Sequence, residues 1–278
     1  MMDITSLNVL FIGNSFSECT CAYLYDILTA LRVPNFNIAA LKISGCSLNT
    51  HWYNAQTDAP AYMFYRYTTS GDRETISSSS TLKEGILSFK WDWVIFADTA
   101  VGPANPAFYT KLRSMIGYVR ALTVPGETKF AFNMTWPWES GYHKYSTMFD
   151  GSADIMFQSI ASCVQRIVMT DPDITCILPN GTAIRNAILS GRAPSLYRDG
   201  SHLNANGCFI VSLTTAYTLL KYTNGATKYD ISSYGLPCLP TTPHRTNGSF
   251  IGALEPEYAD IFFEAASSAV TNPMGSTE

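Results

Sequence analysis

The sequence has few charged residues and no cluster of basic ones. Asp, Glu, Lys and Arg make up 14% of its 278 residues, and the formal net charge is −4. Proteins that bind nucleic acids carry a basic patch or stripe that neutralises phosphates. Because Lys and Arg are scattered along this chain, we expect no nucleic-acid partner.

Long apolar runs are also missing. The most apolar helical stretch, Cys208–Tyr222, is interrupted by Ser, Thr and Tyr, whereas a membrane-spanning helix needs roughly 20 consecutive apolar residues. We therefore expect no membrane span. No charged segment followed by an apolar one precedes Asn8, so we expect no signal peptide in this chain. A leader that is removed during export would leave the same pattern, so the sequence is compatible with either a cytoplasmic or a secreted protein.

The seven cysteines show none of the spacings that bind metals. Cys19 and Cys21 are separated by one residue, unlike the C-x-x-C redox pattern. We expect most cysteines to be buried as small apolar residues, and we expect no metal and no other cofactor.

Short apolar segments alternate with helical patterns along most of the chain. A short segment made mostly of apolar residues is typical of a strand that is buried on both faces of a sheet. The alternation predicts an α/β fold whose parallel sheet is covered by helices on both faces. The five predicted strands are Leu7–Ile12, Phe36–Ile43, Trp93–Asp98, Lys129–Trp136 and Thr175–Pro179.

The chain contains no internal repeat and no composition shift that would separate two domains. We expect one domain over 1–278, with a core at about 7–222 and an irregular C-terminal extension over 223–278. That extension contains a candidate terminal helix at Pro256–Val270. The segment Asn49–Ser80 is rich in Tyr, Thr and Ser, and we expect a long surface excursion there with at most a short helix.

Ser15 follows the first predicted strand directly, after the turn residues Gly13 and Asn14. Its hydroxyl would lie at the carboxyl end of a buried strand, where ligands bind in open α/β sheets. The alternative is that Ser15 or Ser17 only caps the following helix.

Asp199 and His202 stand three residues apart, with Gly200 between them. A carboxylate that accepts the imidazole Nδ1–H leaves Nε2 free to take a proton from a serine hydroxyl. The alternative is that Asp199 caps the turn and His202 packs locally.

Taken together, Gly13–Ser17, Gly45 and Asp199–His202 resemble the motifs of the SGNH hydrolases, also called GDSL-type esterases and lipases. Trp91–Ile95 and Pro179–Ile184 are similar to a carbohydrate-esterase-like branch of that superfamily. The resemblance runs from about Leu7 to Leu220. It implies a flavodoxin-like three-layer α/β/α sandwich with a parallel five-stranded sheet.

The resemblance also implies a role for each matching residue. Ser15 would be the nucleophile, His202 the base and Asp199 its orienting partner. The oxyanion hole would use the backbone N–H groups of Ser15 and Gly45 and an Asn side chain. The usual Gly-x-Asn-Asp is absent after the third strand, where the chain reads Ala97–Asn105. Asn105 or Thr99 could take that place.

Aromatic residues follow several of the predicted strands. Trp136 and Trp138 come after the fourth strand, and Trp52 lies in the excursion after Gly45. Flat rings on one rim of the sheet would suit sugar faces, so we expect these residues to bind substrate. The alternative is that the rings pack in the core or against loops.

These features predict a serine esterase that hydrolyses small acyl esters, for example O-acetyl groups on carbohydrate, through a Ser-His-Asp triad and an acyl-enzyme. Its partner would be a small-molecule or glycan ester. One alternative is a catalytically weak or silent carbohydrate-binding module on the same fold. A second is a nucleotide binder that uses Gly13–Ser15 as a phosphate turn, although the Gly-rich loop and nearby basic residue of such sites are absent.

Overall fold

The computed structural model describes residues 6–68, 72–223, 245–246 and 249–275. A seven-stranded sheet with the order β4-β3-β2-β1-β5-β6-β7 forms the centre. Its strands are β1 Leu7–Gly13, β2 Phe36–Lys42, β3 Tyr62–Tyr67, β4 Arg73–Ser80, β5 Trp93–Phe96, β6 Lys129–Asn133 and β7 Ile174–Leu178.

The α/β fold class is confirmed, and the five strands expected from the sequence are the five that pair in parallel. The expectation of a purely parallel five-stranded sheet is wrong. β3 and β4 add two antiparallel strands beyond β2, so the sheet is mixed. They lie within the segment expected as a surface excursion. Their backbone groups are satisfied at the sheet edge because β3 pairs with β2 and β4 pairs with β3.

Helices cover both faces of the sheet, as in a flavodoxin-like sandwich. Successive side chains of a strand point to opposite faces. On β1, Val9 and Phe11 therefore belong to one apolar core, while Leu10 and Ile12 belong to the other. The helices are α1 Ser15–Cys21, α2 Leu24–Ala30, α3 Leu48–Thr57, α4 Leu82–Leu87, α5 Leu112–Leu122, α6 Ala153–Cys163, α7 Asn180–Leu189, α8 Ala205–Thr223 and α9 Ala259–Thr271.

Helix α1 is joined to the sheet by a buried charged group. Glu18 on α1 is 1% exposed. Its carboxylate lies 2.9 Å from Nζ of Lys42 at the end of β2 and also pairs with Arg73 at the start of β4. Because a buried carboxylate is costly unless it is paired, this cluster fixes α1 relative to both strands.

The C-terminal helix α9 packs on the same face as α7 and α8. Phe262, Ala266 and Ala269 are fully buried there. The irregular segment expected just after residue 222 falls mainly on 224–244, outside the described residues, so the single-domain division stays a prediction. Over the part of the chain that the structure describes, no helix has the length and apolar character needed to cross a bilayer.

Candidate active site

Ser15 is the first residue of α1, immediately after the turn that ends β1. Asn14 caps this helix, because its Oδ1 accepts the backbone N–H of Phe16 at 3.0 Å. The alternative that Ser15 or Ser17 is the helix cap is therefore wrong. The Ser17 hydroxyl is buried without a hydrogen-bond partner among the described residues, whereas Ser15 lines a surface pocket.

The Ser15 hydroxyl meets His202 across that pocket. Ser15 Oγ lies 2.9 Å from Nε2 of His202. On the other side of the ring, Nδ1 lies 2.8 Å from Oδ2 of Asp199. When Nδ1–H donates to the carboxylate, Nε2 is left as the acceptor for the serine proton. The three residues singled out from the sequence thus form one continuous hydrogen-bonded chain.

Asp199 is held as an anion although it is only partly exposed. Burial by itself raises its pKa, but the backbone N–H groups of His202 and Ser201 donate to its other oxygen at 2.7 and 3.0 Å. Together with the imidazole, these donors lower the pKa of Asp199 to about 2. A carboxylate that is ionised at neutral pH can orient the ring and stabilise it when it becomes protonated.

The loop that carries Asp199 and His202 is fixed by close packing. Gly200 has φ +82°, and a Cβ at this position would lie 2.2 Å from the ring of Tyr142, so the loop requires glycine here. Glu139 N–H donates to Gly200 O at 2.8 Å, and the indole N–H of Trp136 donates to Ser201 O at 3.0 Å.

Two residues of the pocket have backbone N–H groups that are available to a ligand. Ser15 and Gly45 both line it, and within the described residues neither N–H has a hydrogen-bond partner. Gly45 has φ +64° and open space where a side chain would stand. Such N–H groups can bind an oxygen atom that becomes negative during a reaction.

Asn14 joins the loops that carry these two N–H groups. Its Nδ2 donates to Cys46 O at 3.0 Å and to Asp98 O at 2.9 Å. Both amide protons are thereby used, and the side chain is 1% exposed. Asn14 therefore fixes the Gly45 loop and the end of β5 against Ser15.

Asn105 does not reach the pocket, and the expectation that it supplies an oxyanion donor is wrong. It is exposed and caps a short 3-10 helix, where its Oδ1 accepts Ala107 N–H at 3.0 Å. Thr99, the other candidate, does line the pocket. Its Oγ1 accepts Gly102 N–H at 3.0 Å, and its hydroxyl also hydrogen-bonds to the Asp98 carboxyl.

Asp98 precedes the pocket residue Thr99 and is fully buried. Its Oδ1 accepts Thr99 N–H at 2.6 Å. Because burial disfavours the charged form, the pKa of Asp98 is raised to about 6. Gly102 packs against this carboxyl, since a Cβ there would lie 2.5 Å from Oδ1.

The tryptophans do not form the exposed rim that the sequence led us to expect. Trp136 is 0% exposed and stacks on Phe16 at 4.7 Å between ring centroids. Trp52 is half-buried against the core on the opposite face of β1 and does not line the pocket. Trp138 does line it, although only 1% of the residue is exposed. The loop after β6 folds inward because an unpaired apolar ring is more stable when buried.

The pocket encloses about 400 Å³ and opens to solvent. Its lining combines polar residues with small apolar residues and two aromatic ones. The lining residues are Asn14, Ser15, Phe16, Ser44, Gly45, Thr99, Ala100, Val101, Trp138, Lys144, Ser201 and His202.

Three residues near this pocket escaped the sequence analysis. Asn14 stands at the position where a helix cap is expected, so a capping rule could have identified it. Asp98 ends the third predicted strand, and nothing in the local sequence marks it as a residue near a pocket. No sequence pattern identifies Lys144 as a pocket residue, because a single lysine in a loop is common. The described residues contain no group of three His, Cys, Asp or Glu that could hold a metal ion, and the described cysteines are free and buried.

Comparison with solved structures gives the same fold. A DUF4886 family protein from Bacteroides uniformis is similar over 98% of both chains, with 25% identity and a TM-score of 0.79. A protein from Slackia heliotrinireducens, described as a candidate SGNH hydrolase, is similar over 80% of this chain and all of its own, with 19% identity and a TM-score of 0.52. At that identity the likeness shows a shared fold, and any relationship to the SGNH hydrolases is distant.

No curated protein matches the chain in sequence. A family model does match it, over residues 8–231. That match covers most of the chain, including Ser15, Gly45, Asp199 and His202. The chain therefore belongs to the DUF4886 family, a domain of unknown function.

Proposed function

We propose that the protein is a serine esterase that hydrolyses small acyl esters, with Ser15 as nucleophile, His202 as base and Asp199 as its orienting partner. One observation carries the proposal. Ser15 Oγ lies 2.9 Å from His202 Nε2, and His202 Nδ1 lies 2.8 Å from Asp199. A serine hydroxyl is a weak nucleophile unless a base removes its proton, and this chain provides the base inside an open pocket.

In the proposed first step, Ser15 Oγ attacks the ester carbonyl carbon while its proton passes to His202 Nε2. The carbonyl oxygen becomes negative and accepts hydrogen bonds from the N–H groups of Ser15 and Gly45. The bond from carbon to the alcohol oxygen then breaks, and the alcohol leaves with the proton from His202. The product is an acyl-enzyme on Ser15.

In the second step, water attacks the acyl-enzyme while His202 Nε2 takes its proton. The intermediate collapses, Ser15 Oγ recovers a proton from His202, and the carboxylic acid leaves. Asp199 stays ionised throughout, because its pKa of about 2 lies far below neutral pH. It stabilises the protonated imidazole in both steps.

The acyl group most consistent with this pocket is small, and an O-acetyl group on a carbohydrate remains our favoured substrate. Ala100 and Val101 line the pocket, and their small apolar side chains suit a small acyl group. Trp138 also lines it, but only 1% of the residue is exposed, so its indole offers little surface to a sugar face. The burial of Trp136 removes part of the aromatic surface on which the sugar prediction rested.

One observation favours the alternative of a weak or silent carbohydrate-binding module. Asn105 is turned away from the pocket, and loss of one oxyanion donor costs about 3 kcal/mol of transition-state stabilisation. Measured turnover separates the two functions, since a silent module would bind sugar without cleaving esters.

The test is hydrolysis of p-nitrophenyl acetate by the wild type, Ser15→Ala and Ser17→Ala. Ser17 lies two residues away on the same helix and has no hydrogen bond to lose among the described residues. We expect Ser15→Ala to lower kcat by a factor of roughly 10³ or more, and Ser17→Ala to stay within about threefold of the wild type. Equal turnover by the wild type and Ser15→Ala would overturn the proposal.

A further inference from the structure

The pocket beside Ser15 contains one side chain with a fixed charge. Lys144 lines it, and no carboxylate does among the described residues. Asp199, the nearest acid in the proposed mechanism, is engaged by His202 and by the backbone of its own loop. Among the described residues, the lining of the pocket therefore includes one ammonium group and no carboxylate.

Lys144 is placed at the pocket by aromatic rings. Its Nζ lies 5.6 Å from the ring centroid of Trp138 and 5.9 Å from that of Tyr142. A cation at this distance is attracted by the electrons of the ring. Trp138 is itself fixed, because Tyr145 donates its hydroxyl to Trp138 O at 2.9 Å and packs edge-on against the indole.

Within the described residues, Lys144 forms no ion pair, since no carboxylate oxygen lies within 4.0 Å of its Nζ. Some other cations among the described residues do have such partners, whereas Lys83 and Lys111, like Lys144, have none there. Arg185, for example, pairs with Asp154, and Lys90 pairs with Glu127. An ammonium group held at a pocket without a counter-charge is available to an anionic group of a ligand.

We propose that Lys144 selects esters that carry an anionic group, such as a carboxylate, sulfate or phosphate, in addition to the ester itself. The proposal rests on the esterase function proposed above and names the substrate class of the same site. Ser15, His202 and Gly45 would act on the ester, while Lys144 binds the charged part of the same molecule.

A second role for Lys144 would be to stabilise the negative carbonyl oxygen directly. The two roles differ in what they predict. A residue that acts on the carbonyl oxygen affects every ester equally, because that oxygen is common to all of them. A residue that binds a separate anionic group affects only the esters that carry such a group.

The experiment compares two matched pairs of esters. In the first pair, p-acetoxybenzoate carries a negative charge on the alcohol side of the ester, and its methyl ester does not. In the second pair, mono-p-nitrophenyl glutarate carries a negative charge on the acyl side, and p-nitrophenyl butyrate does not. Lys144→Gln removes the cation, Lys144→Arg keeps it, and Lys83→Gln removes an exposed lysine of α4, outside the pocket lining. The measured quantity is the ratio of kcat/KM for the charged ester to kcat/KM for its neutral partner.

We expect Lys144→Gln to lower this ratio about tenfold for at least one pair, the effect of losing a hydrogen bond between charged groups. Lys144→Arg should keep the ratio close to the wild-type value. Lys83→Gln should leave the ratio unchanged, although it alters the net charge of the protein as much as Lys144→Gln does. The wild-type ratio should also fall with added salt, because salt screens the attraction.

A ratio that Lys144→Gln leaves unchanged in both pairs would overturn the inference while Ser15-dependent hydrolysis of the neutral esters upholds the proposed function. An equal fall for charged and neutral esters would assign Lys144 to the carbonyl oxygen instead and overturn the inference. Absence of hydrolysis of all four esters by the wild type would overturn both proposals.

Discussion

Ser15 Oγ lies 2.9 Å from His202 Nε2, although 187 positions separate the two residues in the chain. The packing of α1 against α8 brings them together. Ser212 on α8 donates its hydroxyl to Thr20 O at 2.8 Å and accepts the N–H of Tyr23 at 3.1 Å. One buried hydroxyl thus joins the helix that begins at Ser15 to the helix that follows His202.

Replacement of Ser212 by Ala is expected to lower the free energy of unfolding by about 1–3 kcal/mol, because Tyr23 N–H and Thr20 O lose this shared partner inside the protein. Urea unfolding followed by circular dichroism measures the change. Thr214→Val is the matched control, since the Thr214 hydroxyl donates only to Ile210 O of its own helix. Equal effects of the two substitutions would show that Ser212 has no special role in joining the helices.

Replacement of Asp199 by Asn is expected to lower kcat by a factor of about 10³–10⁴, because the amide favours the wrong imidazole tautomer. Steady-state hydrolysis of p-nitrophenyl acetate measures this effect. The melting temperature should change little, since the side chain is half-exposed. Asp154→Asn, which alters an exposed carboxylate paired with Arg185, serves as the control. A fall of less than about tenfold for Asp199→Asn would contradict the assigned role.

Replacement of Asn14 by Ala is expected to lower kcat about 10- to 100-fold, because the Gly45 loop loses its attachment to the nucleophile turn. Asn105→Ala provides the comparison, since Asn105 only caps a helix at the surface and should leave turnover near the wild-type value. If Asn105→Ala reduced kcat and Asn14→Ala did not, the arrangement of the oxyanion donors described above would be wrong.

Asp98 gives the stability of the protein a distinct pH dependence. Its pKa is raised by burial to about 6, from an ordinary value of 3.8 that applies to the unfolded chain. The folded state therefore binds this proton more tightly, so the stabilisation is full below about pH 4 and is lost as the pH rises through about 6. The contribution of Asp98 to the free energy of unfolding therefore falls by about 3 kcal/mol over this pH range. Asp98→Asn should remove this step from unfolding free energies measured between pH 4 and 8. An identical pH profile for both proteins would contradict the assignment.

The sequence predicts the five parallel strands well because each is largely buried and consists mostly of apolar residues. β3 and β4 escape the same rule. β3 mixes Tyr with Arg66, and β4 contains four consecutive serines at its end. Their strand character comes from pairing at the edge of the sheet, which a local pattern of burial cannot reveal.

The residues proposed for chemistry were found because Ser15 and the Asp199–His202 segment each have a local signature. Trp136 and Trp138 show the limit of that approach. Both follow β6 as expected, but whether a loop turns its rings outward or inward depends on the space beneath it. Phe16 and Ser201 fill that space with partners for Trp136, and no spacing along the chain specifies such contacts.

Covalent labelling of Ser15 tests the proposed function most directly. A fluorophosphonate forms a stable adduct with a serine hydroxyl that a neighbouring base activates, and mass spectrometry of the digested protein identifies the labelled peptide. We expect one adduct, on Ser15, that is absent from Ser15→Ala and forms much more slowly in His202→Ala. An unlabelled Ser15, or an adduct that persists at another residue in Ser15→Ala, would contradict the account.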